Sequence, residues 1–83
     1  METKIEEMIK VGAVFGGGKK LRPVWFFWSE KKYPVDEITF NWQSRRGRTV
    51  IQHFAARSGF DLYELSYDTE SLVWTLSAVQ TPE

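Results

Sequence analysis

Apolar and polar residues alternate with a period of two along most of this chain, the signature of strands with one buried face. Between Phe60 and Asp68, Tyr63, Leu65 and Tyr67 fall on one face and Leu62, Glu64 and Ser66 on the other. Leu72, Trp74, Leu76 and Ala78 give a last alternating strand. In the segment from Tyr33 to Gln43, Ile38, Phe40 and Trp42 alternate with Thr39, Asn41 and Gln43, while Tyr33 and Val35 keep the opposite phase. The switch across Asp36-Glu37 predicts a bulge or bend. From Arg48 to Arg57 both phases carry apolar residues, so the faces are poorly separated. The run Val24-Trp25-Phe26-Phe27-Trp28 is bulky on both faces, so either it is covered on both sides or one face meets a partner. Pro23 lacks an N–H and places the start of that strand at an edge or a bulge.

The N-terminal stretch supports two readings. Thr3 and Glu6 have capping-box spacing, with Ile5, Met8 and Ile9 on one helical face, so a short helix over 3–10 fits. Val11 and Val14 favour a strand over 8–15, with Ile9, Val11, Ala13 and Phe15 on one side, and this strand with a frayed or briefly helical start is the expectation. Gly16-Gly17-Gly18 ends it in a wide turn, and the extended Arg22-Pro23 that follows does not supply the helix a phosphate-cradling loop requires. Ser29–Lys32, Arg45–Gly47, Ser58-Gly59 and Asp68–Ser71 supply the remaining turns. The predicted fold is all-β: an antiparallel meander of about six strands, curled or closed into a small barrel of SH3 or OB-fold size.

At 83 residues the chain forms one domain, residues 1–83, and must rely on a dense core. Four Trp, six Phe and three Tyr can supply it. They exceed what so small an interior holds, which leaves aromatics for a surface. There is no cysteine, so disulfides and thiolate metal sites are excluded, and the composition fits a reducing cytoplasm. No apolar run is long enough for a membrane helix, and Glu2, Glu6 and Glu7 do not read as a secretory leader.

Net charge is zero, yet residues 19–57 sum to +6 and residues 58–83 to −5. The asymmetry reads either as basic and acidic strands neutralising one another across a sheet or as an anion-binding face. Little catalytic chemistry is present. His53 is the single histidine, no nucleophile signature surrounds it, and adjacent acids such as Asp36-Glu37 face opposite ways on a strand. No enzyme activity, cofactor or metal is expected. The aromatic surplus and the two-faced 24–28 run point to a protein-interaction or self-assembly module, with Trp25, Phe27 and Trp28 as its surface and a protein partner or a second copy as its ligand. The alternative is a barrel that binds single-stranded nucleic acid. Lys19, Lys20, Arg22, Arg45, Arg46, Arg48 and Arg57 would then meet phosphates, and Trp42 would stack on bases. An isoelectric point near 6.6 weakens that alternative.

From about residue 21 the chain also resembles a group of small, functionally uncharacterised bacterial all-β domains. The shared elements are Phe27-Trp28, the basic turn into Tyr33-Pro34-Val35, Trp42, Tyr63-Glu64-Leu65-Ser66-Tyr67-Asp68 and Trp74-Thr75-Leu76. Glu30 stands where that pattern has glycine, and the long strand 48–57 departs from it. The resemblance implies a β fold and no particular activity.

Overall fold

The computed structural model describes residues 1–17 and 20–82. Seven strands form one antiparallel sheet: β1 (Glu2–Phe15), β2 (Leu21–Trp28), β3 (Lys31–Pro34), β4 (Glu37–Arg46), β5 (Thr49–Ser58), β6 (Asp61–Asp68) and β7 (Val73–Gln80). Their order is β3-β2-β1-β7-β6-β5-β4. β1-β2-β3 and β4-β5-β6-β7 are two meanders joined by the β1–β7 pairing, and the sheet stays open between β3 and β4. There are seven strands rather than six because the 33–43 segment divides at the expected bend. Val35 and Asp36 form the link: the Val35 N–H donates to the Val24 carbonyl on one side, and the Asp36 N–H donates to the Arg57 carbonyl on the other.

No helix forms at the N-terminus. Residues 2–9 of β1 pair with β7, and residues 10–15 pair with β2. Tertiary pairing overrides the local capping signal, so the strand starts at Glu2 rather than near Met8. β1 therefore passes from a five-stranded sheet (β4-β5-β6-β7 and its own first half) into a three-stranded one (its second half, β2 and β3). The sheet also joins the chain ends: the Thr81 N–H donates to the Met1 carbonyl at 2.9 Å.

Both sheets bury one face in a shared core of Phe26, Phe54, Ala56, Tyr63, Leu65, Leu76 and Val79, with Ile5, Ile9, Val11, Trp28, Tyr33 and Trp74 packed against it. The rings interlock. Phe26 stacks on Tyr33 at 5.0 Å and tilts against Tyr63 at 4.9 Å. Burial, helped by the Asp61 carboxylate, pushes the Tyr63 phenol up to about 12, so it stays protonated across the physiological range.

The strand pairings contain four register slips, one of them on β1 between Lys4 and Glu7, and the other three decide which side chains reach this core. Gly12 pairs with Trp25 but Ala13 with Pro23, so Val24 is an extra residue and Pro23 sits at a bulge. Ile38 pairs with Ala56 but Phe40 with Ala55, so the phase flips at Thr39. Ile38 faces the core while Phe40 and Trp42 face outward, in place of the single apolar face the alternation suggested. On β7 the slip at Ser77 turns Leu76 inward and Ala78 to the outer side, opposite Glu64.

The 24–28 run is resolved by the same logic. Phe26 is fully buried, and Trp28 points the same way, its Nε1–H donating to Glu7 Oε2 at 3.2 Å. Trp25 and Phe27 face outward. Trp25 lies flat against Gly12, where any Cβ would collide with the indole, and Lys32 Nζ sits 4.6 Å from the ring centroid.

Two outcomes test this packing. Phe26→Ala should cost about 3–5 kcal/mol and Phe27→Ala under about 1 kcal/mol in urea unfolding, although the residues are adjacent. Ser29 and Glu30 both take left-handed φ, 52° and 64°, as a two-residue hairpin turn of this kind requires. Glu30→Gly should therefore stabilise the fold by about 1 kcal/mol, read as a raised urea midpoint at unchanged slope.

Candidate functional site

Residues directly opposite one another across a strand pair share a face. Facing away from the core on the five-stranded sheet are therefore Phe40, Trp42 and Ser44 of β4, Ile51, His53 and Ala55 of β5, and Glu64, Ser66 and Asp68 of β6. This outer face is not flat. It holds a trough of about 540 Å³, floored by Ile51 and walled by Ser44, Arg46, Glu64, Asp68 and Thr75. Ile51 is only 6% exposed although it faces away from the core. That is why the two phases of β5 look alike in the sequence.

A chain of hydrogen bonds crosses the trough over four strands. Ser44 Oγ lies 2.7 Å from His53 Nε2, His53 Nδ1 lies 3.1 Å from Ser66 Oγ, and Ser66 Oγ lies 2.7 Å from Ser77 Oγ. A neutral imidazole donates from one nitrogen and accepts at the other, so the chain can run in either direction. The bulge at Ser77 is what turns that hydroxyl to this side. Trp42 stacks on the His53 ring at 5.0 Å and 5°, and Phe40 stacks on Trp42 at 5.5 Å. Phe40 is 64% exposed. Burial lowers the His53 pKa below 6.5, and the Glu64 carboxylate partly opposes this. The imidazole is accordingly neutral near pH 7.

A hydroxyl 2.7 Å from a neutral imidazole has the contact of a nucleophile–base pair. Ser66 occupies the position where a triad carries a carboxylate, so an imidazolium formed here has no adjacent counter-ion on Nδ1. The arrangement is a hydrogen-bond relay with an aromatic wall. Among the described residues no group of three or more His, Asp or Glu side chains could hold a metal ion.

The seven cations singled out in the sequence do not converge. Arg57 is held by Asp36 at 3.5 Å and Glu37 at 3.4 Å. Arg45, Arg46 and Arg48 lie at the β4–β5 turn, with Arg46 near Asp68. Lys20 and Arg22 line a separate cleft between the two sheets. Lys19 lies outside the described residues. Trp42 is on the trough side, whereas Trp25 and Phe27 are on the outer face of the three-stranded sheet. Sequence reading missed the relay: its members are 9, 13 and 11 residues apart, and only strand register aligns them.

β4 has a neighbour on one side only, β5. It begins beside Asp36 and Glu37 and ends in Arg45 and Arg46. No family model, no curated protein and no solved structure matches the chain. Among the described residues no helix is long and apolar enough to cross a membrane.

The histidine gives a titration test. Its folded pKa lies below the unfolded value of 6.5, so the unfolded chain binds the proton first as pH falls. This contribution to stability is complete above 6.5 and is lost as pH falls through that value toward the folded pKa. An NMR titration should place the His53 midpoint below 6.5, and Glu64→Gln should lower it further. Ser66→Ala breaks two hydrogen bonds of the relay and should cost about 1–2 kcal/mol by urea unfolding.

Proposed function

We propose that the protein is a non-catalytic cytoplasmic self-assembly module that pairs with a second copy of itself, β4 against β4. The observation that carries this reading is the free edge of β4, ten residues long, with acids at one end and arginines at the other. An edge strand presents unpaired N–H and C=O groups, and a second strand satisfies them directly. The bulge at Thr39 perturbs only the start of the strand, so Phe40 to Arg46 remains regular.

Antiparallel self-pairing is isologous, so whatever one end of β4 meets, the other end meets too. A twofold axis at Asn41 sets Phe40 against the partner's Trp42 on the outer face, twice over. It also brings Asp36 and Glu37 of each copy alongside the Arg45 and Arg46 pair of the other. Each aromatic pair contributes about 0.5–1.5 kcal/mol beyond the area it buries. Opposite charges at both ends select the antiparallel arrangement over a parallel one. The charge asymmetry of the sequence then serves assembly. Within one copy only Arg57 makes ion pairs among the described residues.

The nucleic-acid reading draws less support, because the basic groups are dispersed: Arg57 is held by Asp36 and Glu37, Lys20 and Arg22 line the cleft between the sheets, and Arg45 and Arg46 alone border the trough beside Trp42. Trp25 and Phe27 offer a second aromatic surface, partly occupied by Lys32.

Sedimentation velocity from low to high micromolar should give a dimer. Phe40→Lys, or Arg45→Glu with Arg46→Glu, should weaken association by about tenfold or more, equivalent to about 1.4 kcal/mol, with the far-ultraviolet spectrum unchanged. A wild-type chain that stays monomeric at high micromolar concentration overturns the reading.

A further inference from the structure

The three-stranded sheet carries cations and no carboxylate. Residues 10–15 of β1, with β2 and β3, contain Lys10, Arg22, Lys31 and Lys32 and neither aspartate nor glutamate. Register sorts these cations by side. Lys31 lies opposite Trp28 on the core side, its Nζ 5.1 Å from the Tyr33 ring centroid. Lys10 and Lys32 flank Phe27 across the strands, on the side away from the core. The extra residue of the bulge, Val24, belongs to β2, so Val14 keeps the phase of Lys10 and Gly12. Arg22 stands opposite Val14, where this face borders the cleft between the sheets. One outer face thus presents Lys10, Arg22 and Lys32 around Trp25 and Phe27. Among the described residues none of these three cations is in an ion pair.

Trp25 lies along this face instead of projecting from it. Gly12, directly opposite, makes the room, since any Cβ there would meet the indole. Glycine weakens a strand interior, and a close approach of this kind is what it permits. The Lys32 ammonium sits over the indole at 4.6 Å from the ring centroid. Phe27, next along the same side, is 45% exposed.

We propose that this face binds single-stranded nucleic acid, with bases stacked on Trp25 and Phe27 and phosphates held by Lys10, Arg22 and Lys32. Every base has a π-face that such rings accept, and the cations on either side of the ring row lie where a backbone would track. A base arriving on Trp25 displaces the Lys32 ammonium, which is then free to meet a phosphate. A surface with cations and no carboxylate complements a polyanion better than a protein surface of mixed charge. A ring lying flat suits a stacked base, whereas a bilayer is met by rings that project into it. The dispersed cations and Trp42 considered above do not build this surface: Lys10 and Lys32 are not among them, and Trp42 belongs to the other sheet. The face is also separate from the edge of β4, so it does not depend on self-pairing there.

The test titrates the full chain into a fluorescein-labelled oligothymidylate of about ten nucleotides, read by anisotropy over a range of salt concentrations. Three neutralised phosphates should give a log–log slope of affinity against salt of about −2. Phe27→Ala should weaken binding about tenfold with the far-ultraviolet spectrum unchanged. Lys32→Gln should weaken it too and reduce the slope to about −1.4. Trp42→Ala, on the trough side, should bind as the wild type does. No anisotropy change at high micromolar protein in low salt overturns the proposal. So does a Phe27→Ala variant that binds as well as the wild type, competition by inorganic polyphosphate as strong as that by unlabelled oligonucleotide, or binding to phosphatidylserine vesicles with none to the oligonucleotide.

Discussion

A two-residue link between the outermost strands of one sheet shapes everything else in this molecule. β3 and β4 are the two edges, and Val35 and Asp36 alone join them. In a flat seven-stranded sheet the edges would lie about 29 Å apart. The stretch from Pro34 to Glu37 reaches no more than about 11 Å. The sheet must therefore curl until its edges nearly meet, and curling wraps one face around the aromatic core. Asp36 secures the link at its far side, accepting the Gly59 N–H at 2.8 Å and pairing with Arg57. The outer trough, the inner cleft and the free edge of β4 are all consequences of a curl that stops short of closure.

Most of this architecture is legible in the sequence, and the failures share one cause. The faces of β6, the bend before β4 and the bulge at Pro23 follow from residue type and spacing. The slips at Thr39 and Ser77 do not, because one extra residue reverses a face without changing the composition around it. Ile38, Phe40 and Trp42 therefore look like one apolar stripe and belong to two sides of the sheet. At the N-terminus, Ile5 and Ile9 share a face in a helix and in a strand alike, so local pattern cannot choose between them. Pairing with β7, about seventy residues away, makes the choice. The candidate site was hidden for a similar reason. His53 looked isolated because its partners come from two other strands, and neither Trp25 nor Trp28 reveals its side until the bulge at Val24 is known.

The five-stranded sheet is unusual in having polar chemistry on both sides. Its outer surface carries a satisfied relay, in which each hydroxyl or ring nitrogen has a partner and the stacked rings of Trp42 and Phe40 shield one flank. Its other side carries Asn41 and Gln43, both exposed to solvent, and the half-buried Gln52. The first pattern is what a stable polar network requires. The second needs no protein partner, since water solvates amides that open onto it.

β1 lends its first half to one sheet and its second half to the other, and this has a consequence for how the chain reaches its native state. The β1–β2–β3 portion can form early, since its contacts are local. The first half of β1 has no partner until β7, the last strand, has been made. Pairings between such distant segments form slowly. Throughout that interval the ribbon carrying Ile5 and Ile9 is unclaimed, and Glu2, Glu6 and Glu7 place like charges on it, which oppose edge-to-edge pairing.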